Sequence, residues 1–224
     1  MYLIVSGVKR RYDSSRRQEQ AAENRRRILG VAQELFTDRG YGATTIAEIA
    51  RGAQVAAETV YSTFRNKPTL LHRAWDVAVG GDEQEVQLLD RPELRALFDE
   101  PDLPARLRRF AVVNTEIMRR TARLRLAVQS AADTDPAVAT LLADIDGARL
   151  EAMTVHAHHA QRTGQLAVPE DECRDILFAT TDGTLWRTLV EGRSWPDDRY
   201  ATWLGTLWVT TLTTPNRRRP RVKR

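Results

Sequence analysis

The chain has 224 residues, 42% of them hydrophobic and 29% charged, with few glycines and prolines; abundant Ala, Leu, Arg and Glu favour helices over sheets. No apolar run reaches the length that spans a bilayer, Tyr2 to Val5 is too short for a signal-peptide core, and the lone Cys173 cannot form an internal disulfide, so a soluble, cytoplasmic, membrane-free protein is expected. The formal charge of +4 is uneven: residues 1–27 carry +5 and residues 217–224 carry +6, which leaves −7 for the middle.

The first predicted helix runs from Gln18 to Arg39, with Ile28, Ala32, Leu35 and Phe36 on one face and Gly40 as the stop. Arg25, Arg26 and Arg27 crowd its first half. Thr45-Ile46-Ala47-Glu48 has the spacing of a capping box and starts a short helix with Ile46, Ile49 and Ala50 inside. After Arg51-Gly52-Ala53-Gln54 a second short helix follows. Its Val60 and Phe64 face inward with Val55, and Ala57, Glu58 and Ser62 face out. Asn66-Lys67-Pro68 reads as a cap and a first-turn proline for a helix with Leu70, Leu71, Ala74, Trp75 and Ala78 inside, ending near Gly80-Gly81.

Acidic, proline-punctuated sequence follows up to Asp102. Helices are then predicted at about residues 104–122, 124–132, 136–163, 169–191 and 196–213, several of them opening at an Asp or Ser close to a Pro. His156, His158 and His159 do not supply a coordination shell, so no metal and no cofactor is expected; pocket-edge or partly exposed histidines are the reading. Cys173 is read as a small packed hydrophobe. Trp75, Met118, His156, Asp182 and Trp186 are the candidates for lining a small-molecule cavity, with plain core as the alternative. Hydroxyls, an acid and Gly183 interrupt the apolar run from Ile176 to Trp186. That face, with Leu185, Leu189, Trp203, Leu204, Leu207 and Trp208, is the candidate surface for pairing with a second copy.

Two short helices joined by a tight turn and flanked by longer ones make a helix-turn-helix, whose second helix enters the DNA major groove. A helix for that purpose needs small outward residues at its leading end. Ala56, Ala57, Thr59 and Ser62 meet the requirement; Tyr61 and Lys67, with Thr59, suit phosphates, Thr45 sits at a helix N-terminus, and Glu58 suits a cytosine amino group. Residues 22–79, through Thr44-Thr45, Ile49-Ala50, Val55, Thr59-Val60-Tyr61, Phe64 and Asn66-Lys67-Pro68-Thr69-Leu70, resemble the DNA-binding domain of TetR/AcrR-type transcriptional regulators. The resemblance implies a homodimer on double-stranded operator DNA, and a helical C-terminal domain that binds a small-molecule effector and dimerises through its last two helices. Residues 169–212 resemble that part of some members, notably Gly192-Arg193-Ser194-Trp195, Tyr200 and Trp203-Leu204.

The chain departs from the family pattern at the turn, where Gln54 replaces a glycine and Ala56 a hydroxyl cap. The expected fold is all-α, with a three-helix helix-turn-helix DNA-binding domain followed by a helical ligand-binding and dimerisation domain. The expected division is a basic flexible arm over residues 1–20, the DNA-binding domain over 21–80, the effector-binding and dimerisation domain over 81–214, and a basic tail over 215–224. The expected function is regulation of transcription, as a repressor released by its ligand, with no enzymatic role. The alternatives are an all-α small-molecule-binding protein or enzyme without specific DNA binding, and a nonspecific nucleic-acid binder.

Overall fold

The computed structural model describes residues 7–82 and 88–214, and the fold is all-α. The basic tail predicted over residues 215–224 lies outside the described residues, as do the first six residues of the predicted arm. Helix α1 spans Gly7–Arg39, so the rest of the stretch expected as a flexible arm continues the first helix. Its buried stripe is Ile28, Leu29, Ala32 and Phe36, one helical face.

Helix α2, Ile46–Gly52, starts with the predicted capping box: the Glu48 amide donates to the Thr45 hydroxyl, and the Thr45 amide donates back to Glu48. Gly52 lies so close to α1 that a Cβ there would come within 2.7 Å of Val31 Cγ1. Helix α3, Ala57–Phe64, follows a turn in which Gln54 takes φ 55°, the left-handed region where glycine is least strained. Its cap position, Ala56, makes no side-chain hydrogen bond. Helix α4, Lys67–Gly80, is capped by Asn66, which accepts from the Thr69 amide at 2.9 Å.

A 3-10 turn, Leu88–Asp90, and helix α5, Pro92–Phe98, occupy part of the stretch expected to be irregular. Helix α6 is one continuous rod, Leu103–Ala132, where two helices are predicted. Its two halves bury different faces: Leu107, Phe110, Ala111 and Met118 join the core of the carboxyl-terminal half, whereas Leu124, Val128 and Ala131 join the core of α1 to α4. A buried stripe that changes partner mid-helix reads along the sequence as a break. Helix α7, Pro136–Gln161, is capped by Asp135.

The predicted helix over residues 169–191 is three pieces. Helix α8, Glu170–Thr180, ends before Gly183, whose φ of 87° no helix accommodates; α9, Thr184–Trp186, then runs into a π-helical turn, Arg187–Glu191. Gly183 also packs against α6, since a Cβ would meet that of Ala122 at 2.9 Å. Helix α10, Asp197–Leu212, lies along α6 and buries Tyr200, Leu204, Trp208 and Leu212.

The core around α1 to α4 extends through Leu124 and Val128 of α6 and Val138, Leu141 and Ile145 of α7. Side chains lock the same junction. Arg120 donates to the last carbonyls of α4, at Ala78 (2.8 Å) and Val79 (3.1 Å), and the Tyr41 hydroxyl donates to Asp135 at 2.9 Å.

The strained turn gives a direct expectation. Gln54→Gly raises the unfolding free energy by about 1 kcal/mol, since glycine removes the left-handed penalty, and Ala56→Ser adds about 1 kcal/mol by restoring a cap. Urea unfolding of the two variants checks this; a lower midpoint for Gln54→Gly contradicts it.

Candidate functional site

Helix α3 has two faces of opposite character. Val60 and Phe64 are 1% and 2% exposed and anchor it to the core, and the Arg25 guanidinium lies 5.3 Å from the Phe64 ring. On the other side Ala56, Glu58, Tyr61 and Ser62 are exposed, and Ala57 and Thr59 are half-buried. Tyr61 is 53% exposed, an unusual state for a large aromatic ring. The Ser62 and Thr63 hydroxyls both donate to the Thr59 carbonyl, which keeps the outer face slim. Arg51 and Arg65, which the sequence reading passed over, are exposed at the two flanks of the turn and helix. A basic residue at either edge was the signal available for them.

Two predicted contact residues are already engaged within the protein. The Thr45 amide and hydroxyl both donate to Glu48, at 2.9 and 2.8 Å, so Thr45's own polar groups are committed within the cap. The same bonds hold the Glu48 carboxyl below its ordinary pKa. Lys67 is half-buried, with its ammonium 4.0 Å from the centre of the Tyr41 ring, and burial lowers its pKa against the pull of Asp135 and Glu48. Lys67 thus belongs to the joint between α4 and Tyr41-Asp135 rather than to the outer face. Of the three clustered arginines, Arg26 is exposed beside Glu23, while Arg27 donates to Asn24 at 2.7 Å.

A cavity of about 780 Å³ lies among α1, α4, α6 and α7. Trp75, Met118, His156 and Asp182, four of the five predicted lining residues, are on its wall. Trp186 is not. It is buried in the carboxyl-terminal core, and its indole N–H donates to Asp197 at 2.8 Å. The Asp182 carboxylate accepts from the amide and the hydroxyl of Thr184, both at 2.9 Å, so it is tied to the first residue of α9.

His156 is 5% exposed, fully buried rather than at a pocket edge. It stacks on Phe110 with ring centres 3.9 Å apart, and burial, with His159 and Arg106 adding repulsion, pushes its pKa down to about 3. It is therefore neutral at pH 7. Arg125 and Arg149, both on the cavity wall, donate to Asp146, at 2.7 and 3.1 Å. Burial alone would raise Asp146, yet these bonds hold its carboxyl below the ordinary value. Among the described residues no group of three or more His, Cys, Asp or Glu comes together as a metal site. Burial and the charge of Glu170 raise the Cys173 thiol to about 11.

The predicted pairing surface is divided. Leu185, Leu189, Trp203 and Leu207 are half-buried and remain partly uncovered. Leu204 and Trp208 are not available: both are 0% exposed, and Trp208 stacks on Phe110 while its N–H donates to Thr180 at 2.9 Å. Helix α10 lies on α6 through the face that carries them.

The sequence pattern of the tetR family of bacterial regulatory proteins matches residues 28–74, which takes in α2, α3 and most of α4. A 72-residue segment is 35% identical to the HTH-type transcriptional regulator AcrR of Shigella flexneri, covering 31% of this chain and 34% of that protein. The chain spans half or less of the length of the curated relatives it matches. The fold extends further. The crystal structure of a TetR-family regulator from Rhodococcus sp. superposes with a TM-score of 0.66 at 17% identity, covering 86% of this chain and 100% of the other. FadR from Bacillus subtilis, solved with stearoyl-CoA, gives 0.65 at 16% identity, covering 83% of this chain and 97% of FadR.

His156 makes stability depend on pH. Its folded pKa, about 3, lies below the unfolded 6.5, so stability is complete above pH 6.5 and falls with pH through that window, by up to about 1.4 kcal/mol per unit. His156→Gln removes this slope. Urea unfolding at pH 6.5 and 5 should show the variant losing about 1 kcal/mol less per unit than the unaltered protein; equal losses contradict the assignment.

Proposed function

From the membership of residues 28–74 in the tetR family of bacterial regulators, we propose that this chain is a homodimeric transcriptional repressor released from operator DNA by a small molecule. The observation that carries the reading is the asymmetry of α3: two fully buried anchors on one side, and Ala56, Glu58, Tyr61 and Ser62 open on the other. A helix so anchored enters a major groove without disturbing its own core. Tyr61 and Thr59 contact phosphates; Glu58 reads a base edge.

The release mechanism follows from what α4 touches. Its first turn directly follows α3, and its later residues Trp75, Val77 and Val79 line the cavity. A ligand that fits one placement of α4 better than another shifts α3 by the same free-energy difference, and DNA opposes it in return. Half-buried Trp203 and Leu207 on α10, with Leu185 and Leu189, supply the dimer contact, which sets the spacing of the two groove-entering helices. Operator half-sites then lie about one helical turn apart.

Gel-shift titration on the DNA upstream of the chain's own gene tests the reading. The complex should resist an excess of random DNA, Tyr61→Ala should weaken binding to every sequence by about tenfold, and Glu58→Ala should change the preferred sequence. Equal competition by random DNA, with a steep salt dependence and no effect of Glu58→Ala, would overturn it in favour of nonspecific binding through the basic termini.

A further inference from the structure

The cavity has an apolar wall, with Trp75, Leu94, Phe110, Ile117, Met118 and Met153 among its residues. Its buried side-chain atoms that lack a hydrogen-bond partner are of one kind. The amide nitrogen of Asn114, Nε and Nη1 of Arg125, and Nε of Arg149 are buried and have no hydrogen-bond partner among the described residues. All four are donors, and no lining side chain has a buried acceptor in the same state. Asn114 and Arg125 are both on the cavity wall and are 3% and 6% exposed.

The charges agree. Eight ionised side chains line the cavity, namely four arginines, three aspartates and Glu151. Among these, only Arg125 is fully buried. Asp76 pairs with Arg73 at 3.3 Å, Asp82 takes both ends of Arg91 at 2.8 and 2.9 Å, and Asp182 is occupied by Thr184. Glu151 is exposed. Arg149, which feels the charge of Asp182, spends Nη1 on the Phe178 carbonyl and lays its guanidinium 3.6 Å over that ring. Two guanidiniums share the single carboxylate of Asp146, which is itself partly exposed, and His156 is neutral at pH 7. Buried donors without acceptors cost free energy, and an anionic acceptor returns the most because charge-assisted bonds to guanidinium are the strongest available.

We propose that the ligand of this cavity is an amphipathic monocarboxylate: its carboxylate accepts from Arg125 and Asn114, and its apolar body lies along Trp75, Phe110 and Met118. The inference rests on the cavity being the effector site. The volume, about 780 Å³, is that of a small-molecule site and leaves ample room for a medium-chain or fused-ring acid. The contact with Trp75 puts the ligand's body directly against α4.

Calorimetric titration of the full chain at pH 7.5 with octanoate, decanoate and 1-naphthoate, each against its uncharged alcohol counterpart, is the test. At least one acid should bind about tenfold tighter than its alcohol, Arg125→Met should cost that acid about tenfold while leaving the alcohol within about threefold, and Asn114→Leu should act in the same direction more weakly. If Arg125→Met does not fold, the acid-against-alcohol comparison on the unaltered protein decides alone. Binding by no acid, alcohols as tight as acids, or an Arg125→Met protein that keeps its acid affinity overturns the inference. Operator release, followed separately by gel shift, keeps the two ideas apart. Release by the alcohols alone overturns the acid preference and leaves the repressor reading intact, whereas tight acid binding by a chain that ignores operator DNA does the reverse.

Discussion

The position of α3 is set by how α4 is held at both ends. At its carboxyl end Arg120 of α6 caps the free carbonyls of Ala78 and Val79. At its amino end Lys67 rests on Tyr41, whose hydroxyl is tied to Asp135, the residue that also caps α7 through the amides of Ala137 and Val138. One carboxylate thus orders the start of a body helix and holds a ring beneath the start of α4. Because the apolar core runs unbroken from α1 into α6 and α7, the amino-terminal helices are a continuation of the body's interior, and a displacement of α6 or α7 is transmitted by close packing.

Local chemistry was the most legible part of the sequence. The Thr45 box, the Asn66 cap and the inward set of Ile28, Ala32, Phe36, Val60, Phe64, Leu70 and Leu71 depend only on near neighbours and a 3.6-residue period, and the structure has all of them. What was not legible required knowing the partner of a face. Helix α6 looked like two helices because its buried stripe changes from one core to the other, and Leu204 and Trp208 looked like a pairing surface because nothing local says that α6 covers them. The break at Gly183 was visible as a small residue beside an acid, but its positive φ and its contact with Ala122 are tertiary facts. Arg125 was missed for the same reason: an arginine amid apolar helix positions reads as solvated unless the opposing Asp146 and the cavity are known.

Two of the molecule's local penalties lie beside α3 and beside the cavity. A left-handed Gln54 and an uncapped Ala56 together cost on the order of 2 kcal/mol at the turn that presents α3. The buried anchors Val60 and Phe64 offset that cost, each worth about 1.5–3 kcal/mol by burial. The cavity carries a second penalty, since buried donors without protein acceptors weaken the body beside α4. That region adjoins α4, the helix that follows α3.

The claim that α4 holds α3 in place, within the spacing that the proposed dimer contact sets, is tested most directly by pulsed electron resonance between spin labels at exposed Asp38 of each copy, with Cys173→Ser as background. The account predicts a narrow distance distribution that narrows further on an operator duplex and broadens when Arg120→Met removes the clamp on α4. No coupling between copies, or a distribution unaffected by Arg120→Met, would contradict it.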